Sequence, residues 1–98
     1  MMEAPRFDVW MVEDDANDIA VAMRAFRQHA LAERVHVMRD GSELMDYLQG
    51  QPLPLRVPKV ILLDLKMPRL DGRAALRALR SRPESRHIPV VVVSSSPL

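Results

Sequence analysis

The sequence of 98 residues contains no cysteine, which excludes a disulfide scaffold and a zinc site built from thiolates. A bound metal would therefore need oxygen or imidazole ligands. Only three glycines are present, and they form no glycine-rich loop of the kind that surrounds nucleotide phosphates. No apolar run approaches the roughly 18 residues of a membrane-spanning helix, and the first ten residues lack the apolar segment of an export signal. We therefore expect a cytoplasmic protein.

An excess of charge of either sign is also absent, since 14 lysines and arginines face 13 aspartates and glutamates. This balance favours neither a nucleic acid nor an anionic membrane surface as a partner. Hydrophobic residues make up 48% of the chain and charged residues 28%, which is typical of a folded globular protein. The length allows one domain with a single core.

Four short apolar segments predict buried β-strands. They span residues 7–12, 35–38, 60–63 and 89–93. The first ends abruptly at acidic residues, the third ends at Asp64, and the fourth leads into three serines. Abrupt changes of this kind are expected where a buried strand reaches the edge of its sheet.

Helical periodicity occupies the gaps between these strands. The apolar positions of the first helix are Ile19, Ala22, Met23, Phe26 and Ala30. Asp15 is the expected cap of this helix, and Asp40 to Glu43 form a possible capping box before the second. The third helix begins near Gly72 and ends before Pro83. The alternation predicts an open α/β sandwich, a parallel sheet with helices on both faces.

Polar side chains follow three of the predicted strands. Glu13 and Asp14 come after the first strand, Asp64 after the third and Ser94 after the fourth. The carboxyl ends of parallel strands share one edge of the sheet, where α/β proteins bind ligands. Crowded carboxylates repel one another unless a cation neutralises them. Because Mg²⁺ prefers oxygen ligands, the pattern predicts a magnesium site at this edge.

Four sequence blocks, in this order, resemble the receiver domain of two-component response regulators. They are Val12–Asp15, Asp40–Gly41, Leu62–Gly72 and Ile88–Ser94. The resemblance runs from about Phe7 to the end of the chain. Its sequence motifs are similar to those of single-domain regulators paired with phytochrome-type histidine kinases. It implies a flavodoxin-like open parallel sheet with strand order 2-1-3-4.

The resemblance also implies a role for individual residues. Asp64 would be the phosphoacceptor, phosphorylated by a histidine kinase or a histidine phosphotransfer protein. Glu13, Asp14 and Asp64, with the backbone carbonyl of Lys66, would hold Mg²⁺, and the Ser94 hydroxyl would bond to the phosphoryl group and report its presence. The family implies a bacterial signalling domain rather than an enzyme, with at most self-phosphorylation and self-dephosphorylation.

A complete receiver of this design continues with another helix, a fifth strand ending in a lysine, and a last helix. The resemblance therefore implies that residues 1–98 are a receiver domain that is incomplete at its C-terminus. Lys59 and Lys66 are poor substitutes for that lysine. The fourth strand would be an exposed sheet edge, which predicts a homodimer formed by edge pairing or strand exchange. The alternative function is an interaction or dimerisation module without productive phosphorylation.

Simpler interpretations of these residues stay open. The acidic residues after the first strand are compatible with helix capping alone, and Ser94 with a polar strand end. The arginine-rich stretch 69–86 is either a solvated helix face or an electrostatic docking surface. A haloacid-dehalogenase-like phosphatase fits less well, because Lys66 stands where that family has a second aspartate.

Overall fold

The computed structural model describes residues 7–52, 55–64 and 72–93. Its elements are β1 (Val9–Val12), α1 (Ala16–Gln28), β2 (Val35–Met38), α2 (Gly41–Gly50), β3 (Val60–Asp64), α3 (Gly72–Ser81) and β4 (Val90–Val93). A short 3₁₀ turn over Ala32–Arg34 precedes β2. The strands form one parallel sheet in the order β2-β1-β3-β4. The predicted flavodoxin-like fold and strand order are confirmed.

The two faces of the sheet are covered by different helices. Successive side chains of a strand point to opposite faces, so each strand contributes residues to both layers. One face packs against α2 and α3 and carries most of the buried core. The core residues there include Trp10, Val12, Ile61 and Leu63 from the strands and Leu44, Leu48, Ala75 and Leu79 from the helices. On the other face, Met11 and Leu62 lie beneath α1. Cover on both faces explains why β1 and β3 are apolar without alternation.

Two aspartates cap the helices as predicted. The Asp15 carboxylate accepts hydrogen bonds from the N–H groups of Asn17 at 2.8 Å and Asp18 at 3.0 Å. Asp40 accepts one from the Glu43 N–H at 2.8 Å. These bonds satisfy donors that a helix N-terminus otherwise leaves unpaired.

The end of α1 differs from the prediction. Ala30 was expected on the apolar face of the helix, but α1 ends at Gln28 and Ala30 adopts a left-handed backbone conformation with φ of 56°. The Leu31 N–H donates to the Phe26 carbonyl at 2.8 Å, and the Ala30 N–H donates to the Arg27 carbonyl at 3.1 Å. This is a Schellman motif, in which the left-handed position is usually a glycine.

Ala30→Gly is therefore expected to stabilise the domain by about 0.5–1 kcal/mol, because glycine avoids the steric cost of the left-handed conformation. The matched control is Ala25→Gly, at an exposed position inside α1, which should destabilise by about 1 kcal/mol. Urea unfolding of the three proteins gives both values. Destabilisation by Ala30→Gly would contradict the prediction.

An aromatic stack closes the core beside β2. The His36 ring stacks on Tyr47 with centroids 4.2 Å apart, and Phe7 lies 4.9 Å away on an inclined plane. Tyr47 in turn meets Trp10 edge-on at 5.2 Å. Burial lowers the pKa of His36 below its usual 6.5, although the charge of Glu43 opposes this shift. The folded protein therefore favours the neutral imidazole.

This preference predicts a pH-dependent stability. Between the lowered pKa of His36 in the folded state and 6.5, the unfolded chain binds more protons, so stability is lost as the pH falls through this range. His36→Phe keeps an aromatic ring but cannot titrate. The free energy of unfolding of the wild type should fall relative to that of the variant between pH 8 and pH 5. A constant difference would contradict the prediction, since other titrating groups are common to both proteins.

Residues 69–71 of the arginine-rich stretch lie outside the described residues, and the arginines of α3 differ in their contacts. Arg73 and Arg77 lie on the exposed face of α3. Arg80 instead bonds to the backbone ahead of β4, where its Nη1 donates to the carbonyl oxygens of Arg86 at 2.6 Å and Ile88 at 2.8 Å. Arg80 therefore holds the connection between α3 and β4.

The sheet has an exposed edge at β4 among the described residues. Val91, Val92 and Val93 are 51%, 46% and 45% exposed, and Val21 on α1 is 70% exposed. The exposed edge predicted for this strand is thus found. In the part of the chain that the structure describes, no helix is long and apolar enough to cross a membrane.

Candidate functional site

Three carboxylates meet where β1 and β3 end. The two strands are neighbours, with Val12 opposite Leu63, so the residues that follow Val12 lie beside Asp64. Carboxylate oxygens of Glu13, Asp14 and Asp64 all lie within 4.8 Å of one another. The structure thus brings together the three acids that sequence analysis singled out.

Burial makes this cluster electrostatically unusual. Glu13 is 7% exposed and Asp64 is 4% exposed, while Asp14 is half-buried. Burial raises the pKa of Glu13 to about 7, with the charge of Asp64 and a hydrogen bond to it adding to the effect, and the Asp15 N–H opposing it. A divalent cation would relieve this repulsion, because it favours the ionised form of each acid.

The backbone around the cluster is tied to both neighbouring elements. The Glu13 N–H donates to the Met38 carbonyl at 2.9 Å, which extends the pairing of β1 with β2 by one residue. Glu13 Oε1 accepts a bond from the Asp15 N–H at 3.0 Å. Because Asp15 also caps α1, the loop that carries Asp14 is fixed at both ends.

A cavity of about 240 Å³ opens beside the acids, between the sheet and α1. Its residues are Met11, Val12, Glu13, Asp18, Val21, Ala22, Leu62, Asp64 and Val93. Two of the three acids, Glu13 and Asp64, therefore line the same cavity as the apolar side chains of the sheet and α1.

Two predicted site residues, Lys66 and Ser94, lie outside the described residues. Lys59 directly precedes β3, at the opposite end of that strand from Asp64, so it is far along the strand from the acids. One contact at the site was not predicted: Arg39 Nη2 donates to the Asp14 carbonyl at 3.3 Å. The available signal was the position of Arg39 directly after a predicted strand beside the first.

Comparison with known proteins identifies the family. The model of the response regulator receiver domain family matches residues 9–97. The chain is a response regulator receiver domain. It belongs to two-component signalling, and receiver domains are in general signalling domains rather than enzymes.

Curated relatives include two small regulators. The receiver domain is 35% identical over 95 residues to the probable methanogenesis regulatory protein FilR2 of Methanothrix harundinacea (strain 6Ac), covering 92% of this chain and 59% of the relative. It is 32% identical over 90 residues to the response regulator Rcp1 of Synechocystis sp. (strain ATCC 27184 / PCC 6803 / Kazusa), covering 90% of this chain and 61% of Rcp1. The chain thus spans about three-fifths of the length of these relatives.

Solved structures support the same assignment. The bacteriophytochrome response regulator AtBRR is 38% identical with a TM-score of 0.79, over 94% of this chain and 69% of that one. The phosphorylated cyanobacterial phytochrome response regulator RcpA is 37% identical with a TM-score of 0.78, over 93% of this chain and 66% of RcpA. The predicted similarity to phytochrome response regulators is confirmed.

The acidic cluster fits the metal chemistry of the family. Receiver domains bind Mg²⁺ or Mn²⁺ at an acidic pocket, and a Mn²⁺-bound form of Rcp1 has been solved. That structure is 33% identical to this chain with a TM-score of 0.77, and the match covers 90% of this chain and 65% of Rcp1. In this receiver domain, the three converging carboxylates form an acidic cluster, and carboxylate oxygens are the kind of ligand that such hard cations prefer.

Proposed function

We propose that this receiver domain accepts a phosphoryl group on Asp64 from a histidine kinase or a histidine phosphotransfer protein in the cytoplasm, and signals by protein contact. The observation that supports this function best is the position of Asp64. Its carboxylate is buried at the end of a central strand, within 4.8 Å of two further carboxylates. A buried acid among acids is unfavourable for stability, so a chemical role accounts for it better than a structural one.

The proposed step is a displacement at phosphorus. A carboxylate oxygen of Asp64 bonds to the phosphorus atom as the bond from phosphorus to the donor's histidine nitrogen breaks, which leaves an aspartyl phosphate. Catalysis of such a transfer depends mostly on positioning and on neutralising the phosphoryl oxygens. Mg²⁺ would supply that neutralisation.

The ligands proposed for Mg²⁺ are Glu13, Asp14, Asp64 and the backbone carbonyl of Lys66. Glu13 and Asp64 are both buried, and the carboxylates of Glu13, Asp14 and Asp64 already converge without an ion. The Ser94 hydroxyl is proposed to donate to a phosphoryl oxygen and so to report phosphorylation. The roles of Lys66 and Ser94 rest on the family resemblance alone.

The test is phosphorylation by a small phosphodonor. The protein is incubated with acetyl phosphate and Mg²⁺, and a parallel sample also contains a metal chelator from the start. The intact mass of the protein is measured in both samples. We expect the mass of one added phosphoryl group with Mg²⁺ and none when the chelator is present from the start. An unchanged mass in the presence of Mg²⁺ would exclude phosphorylation of this chain and favour the alternative function below.

The alternative that we propose is an interaction module that forms a homodimer through β4. The supporting observation is the row of exposed valines on that strand, because an unprotected apolar edge favours pairing with another strand. Val92→Lys places a charge on the edge and should shift a dimer towards monomer in sedimentation velocity. A wild-type protein that is folded and monomeric at all concentrations would contradict this proposal.

A further inference from the structure

Arg39 connects the loop that carries Asp14 to a second helix. It directly follows β2, whose last residue Met38 is paired with Val12. The side chain is exposed and makes a contact across the two strands, in which its Nη2 donates to the Asp14 carbonyl at 3.3 Å. Charge on the guanidinium strengthens such a bond relative to one between neutral groups.

The backbone of Arg39 is itself held by α2. Its N–H donates to Glu43 Oε2 at 3.0 Å, and the Glu43 N–H donates to Asp40 Oδ1 at 2.8 Å. The reciprocal bond of the capping box therefore falls on Arg39 rather than on the cap residue Asp40, one residue earlier than in the standard motif. As a result, Arg39 projects from a fixed point at the start of α2.

The peptide group between Asp14 and Asp15 is bonded at both of its polar atoms. Its carbonyl accepts from Arg39, and its N–H donates to Glu13 Oε1 at 3.0 Å. Glu13 is a candidate metal ligand, so its carboxylate has a competing use when a cation is bound. Arg39 is not a candidate ligand and can keep its bond to the peptide in both situations.

We propose that Arg39 is a positioning residue that fixes the plane of the peptide between Asp14 and Asp15, and so directs the Asp14 carboxylate towards Asp64. This inference rests on the proposed function, because it concerns the same acidic site. Arg39 acts through the backbone and does not touch the phosphoryl group or the cation.

The sign of one measurement separates positioning from a simple effect of charge. Removing a positive charge near three acids should tighten cation binding, because the acids then attract the cation more strongly. Losing the orientation of Asp14 should weaken it. A single hydrogen bond of this kind corresponds to about a three- to tenfold change in affinity.

The experiment compares Arg39→Met with the wild type, using Mn²⁺ as the probe and electron paramagnetic resonance to count free ion. The matched control is Arg77→Met, which removes the same charge from the exposed face of α3. We expect Arg39→Met to remain folded and to bind Mn²⁺ about three- to tenfold more weakly, and Arg77→Met to bind as the wild type does. Equal or tighter binding by Arg39→Met would overturn the proposal.

A second measurement needs no ion. Hydrogen exchange of the Asp15 amide, followed by NMR in metal-free protein, should be faster in Arg39→Met than in the wild type, because the peptide is then held at its N–H alone. An unchanged exchange rate would overturn the proposal. If the wild type itself binds no Mn²⁺, the proposed metal site fails, and the exchange rate still decides whether Arg39 holds the peptide.

Discussion

Asp64→Asn is expected to take up no phosphoryl group from acetyl phosphate under conditions in which the wild type gains one. The amide nitrogen replaces one carboxylate oxygen and removes the negative charge, so no nucleophile of comparable strength remains at this position. The loss of uptake should be complete within the sensitivity of intact-mass measurement. The residue lies at the end of β3, where the backbone of the variant can remain paired with β4 through Val93.

The same substitution should leave the fold intact. The charge of Asp64 and its hydrogen bond both contribute to the raised pKa of Glu13, so removing that charge reduces repulsion in a buried place. We therefore expect Asp64→Asn to unfold at a temperature no lower than the wild type. An unfolded variant would make the loss of uptake uninformative and would contradict this part of the prediction.

Asp18→Asn is the matched control, because Asp18 lines the same cavity but is not a proposed ligand. This variant removes one carboxylate charge near Glu13 and should still be phosphorylated. Phosphoryl uptake by Asp64→Asn, or its loss in Asp18→Asn alone, would show that the acceptor has been assigned to the wrong residue.

Leu63→Ala is expected to destabilise the domain by about 2–5 kcal/mol, the usual cost of deleting a fully buried leucine side chain. Leu63 is completely buried on the sheet face that packs against α2 and α3. Domains of this size have only about 5–15 kcal/mol of total stability. The variant should therefore be close to the limit at which the fold persists at 37 °C.

The matched control for the loss of stability in Leu63→Ala is Val92→Ala. Val92 is the partner of Leu63 in the register of β3 and β4, yet it is 46% exposed. It should cost less than about 1 kcal/mol, because little buried surface is lost. Chemical unfolding followed by fluorescence of Trp10 measures both variants. Equal losses at the two positions would mean that β4 is covered in solution.

Several elements of the fold could be predicted from the sequence because they depend on neighbours along the chain. The span of β2 was predicted without error, and Asp15 and Asp40 act as the expected caps. Strand ends were recognisable because the apolar runs stop at charged residues. The acids of the site were predicted for the same reason, since parallel strands bring their carboxyl ends to one edge.

Other features required the tertiary structure. Ala30 was placed in the helix because it continues the three- and four-residue spacing of the apolar positions, and nothing local indicates its left-handed turn. The stacking of His36 on Tyr47 joins β2 to α2. The bond from Arg39 to Asp14 spans 25 positions. Each of these depends on how separate segments approach one another.

The sequence by itself therefore determined the order of the strands and helices, the capping residues and the acids that end β1 and β3, because each follows from composition and spacing within a short window. The tertiary structure alone decided how close the three carboxylates lie and which arginine contacts the Asp14 loop. It also decided the burial of Glu13, which raises the pKa of this residue to about 7. The physical reason is that distance, burial and charge interaction between remote residues are set by strand register and helix packing.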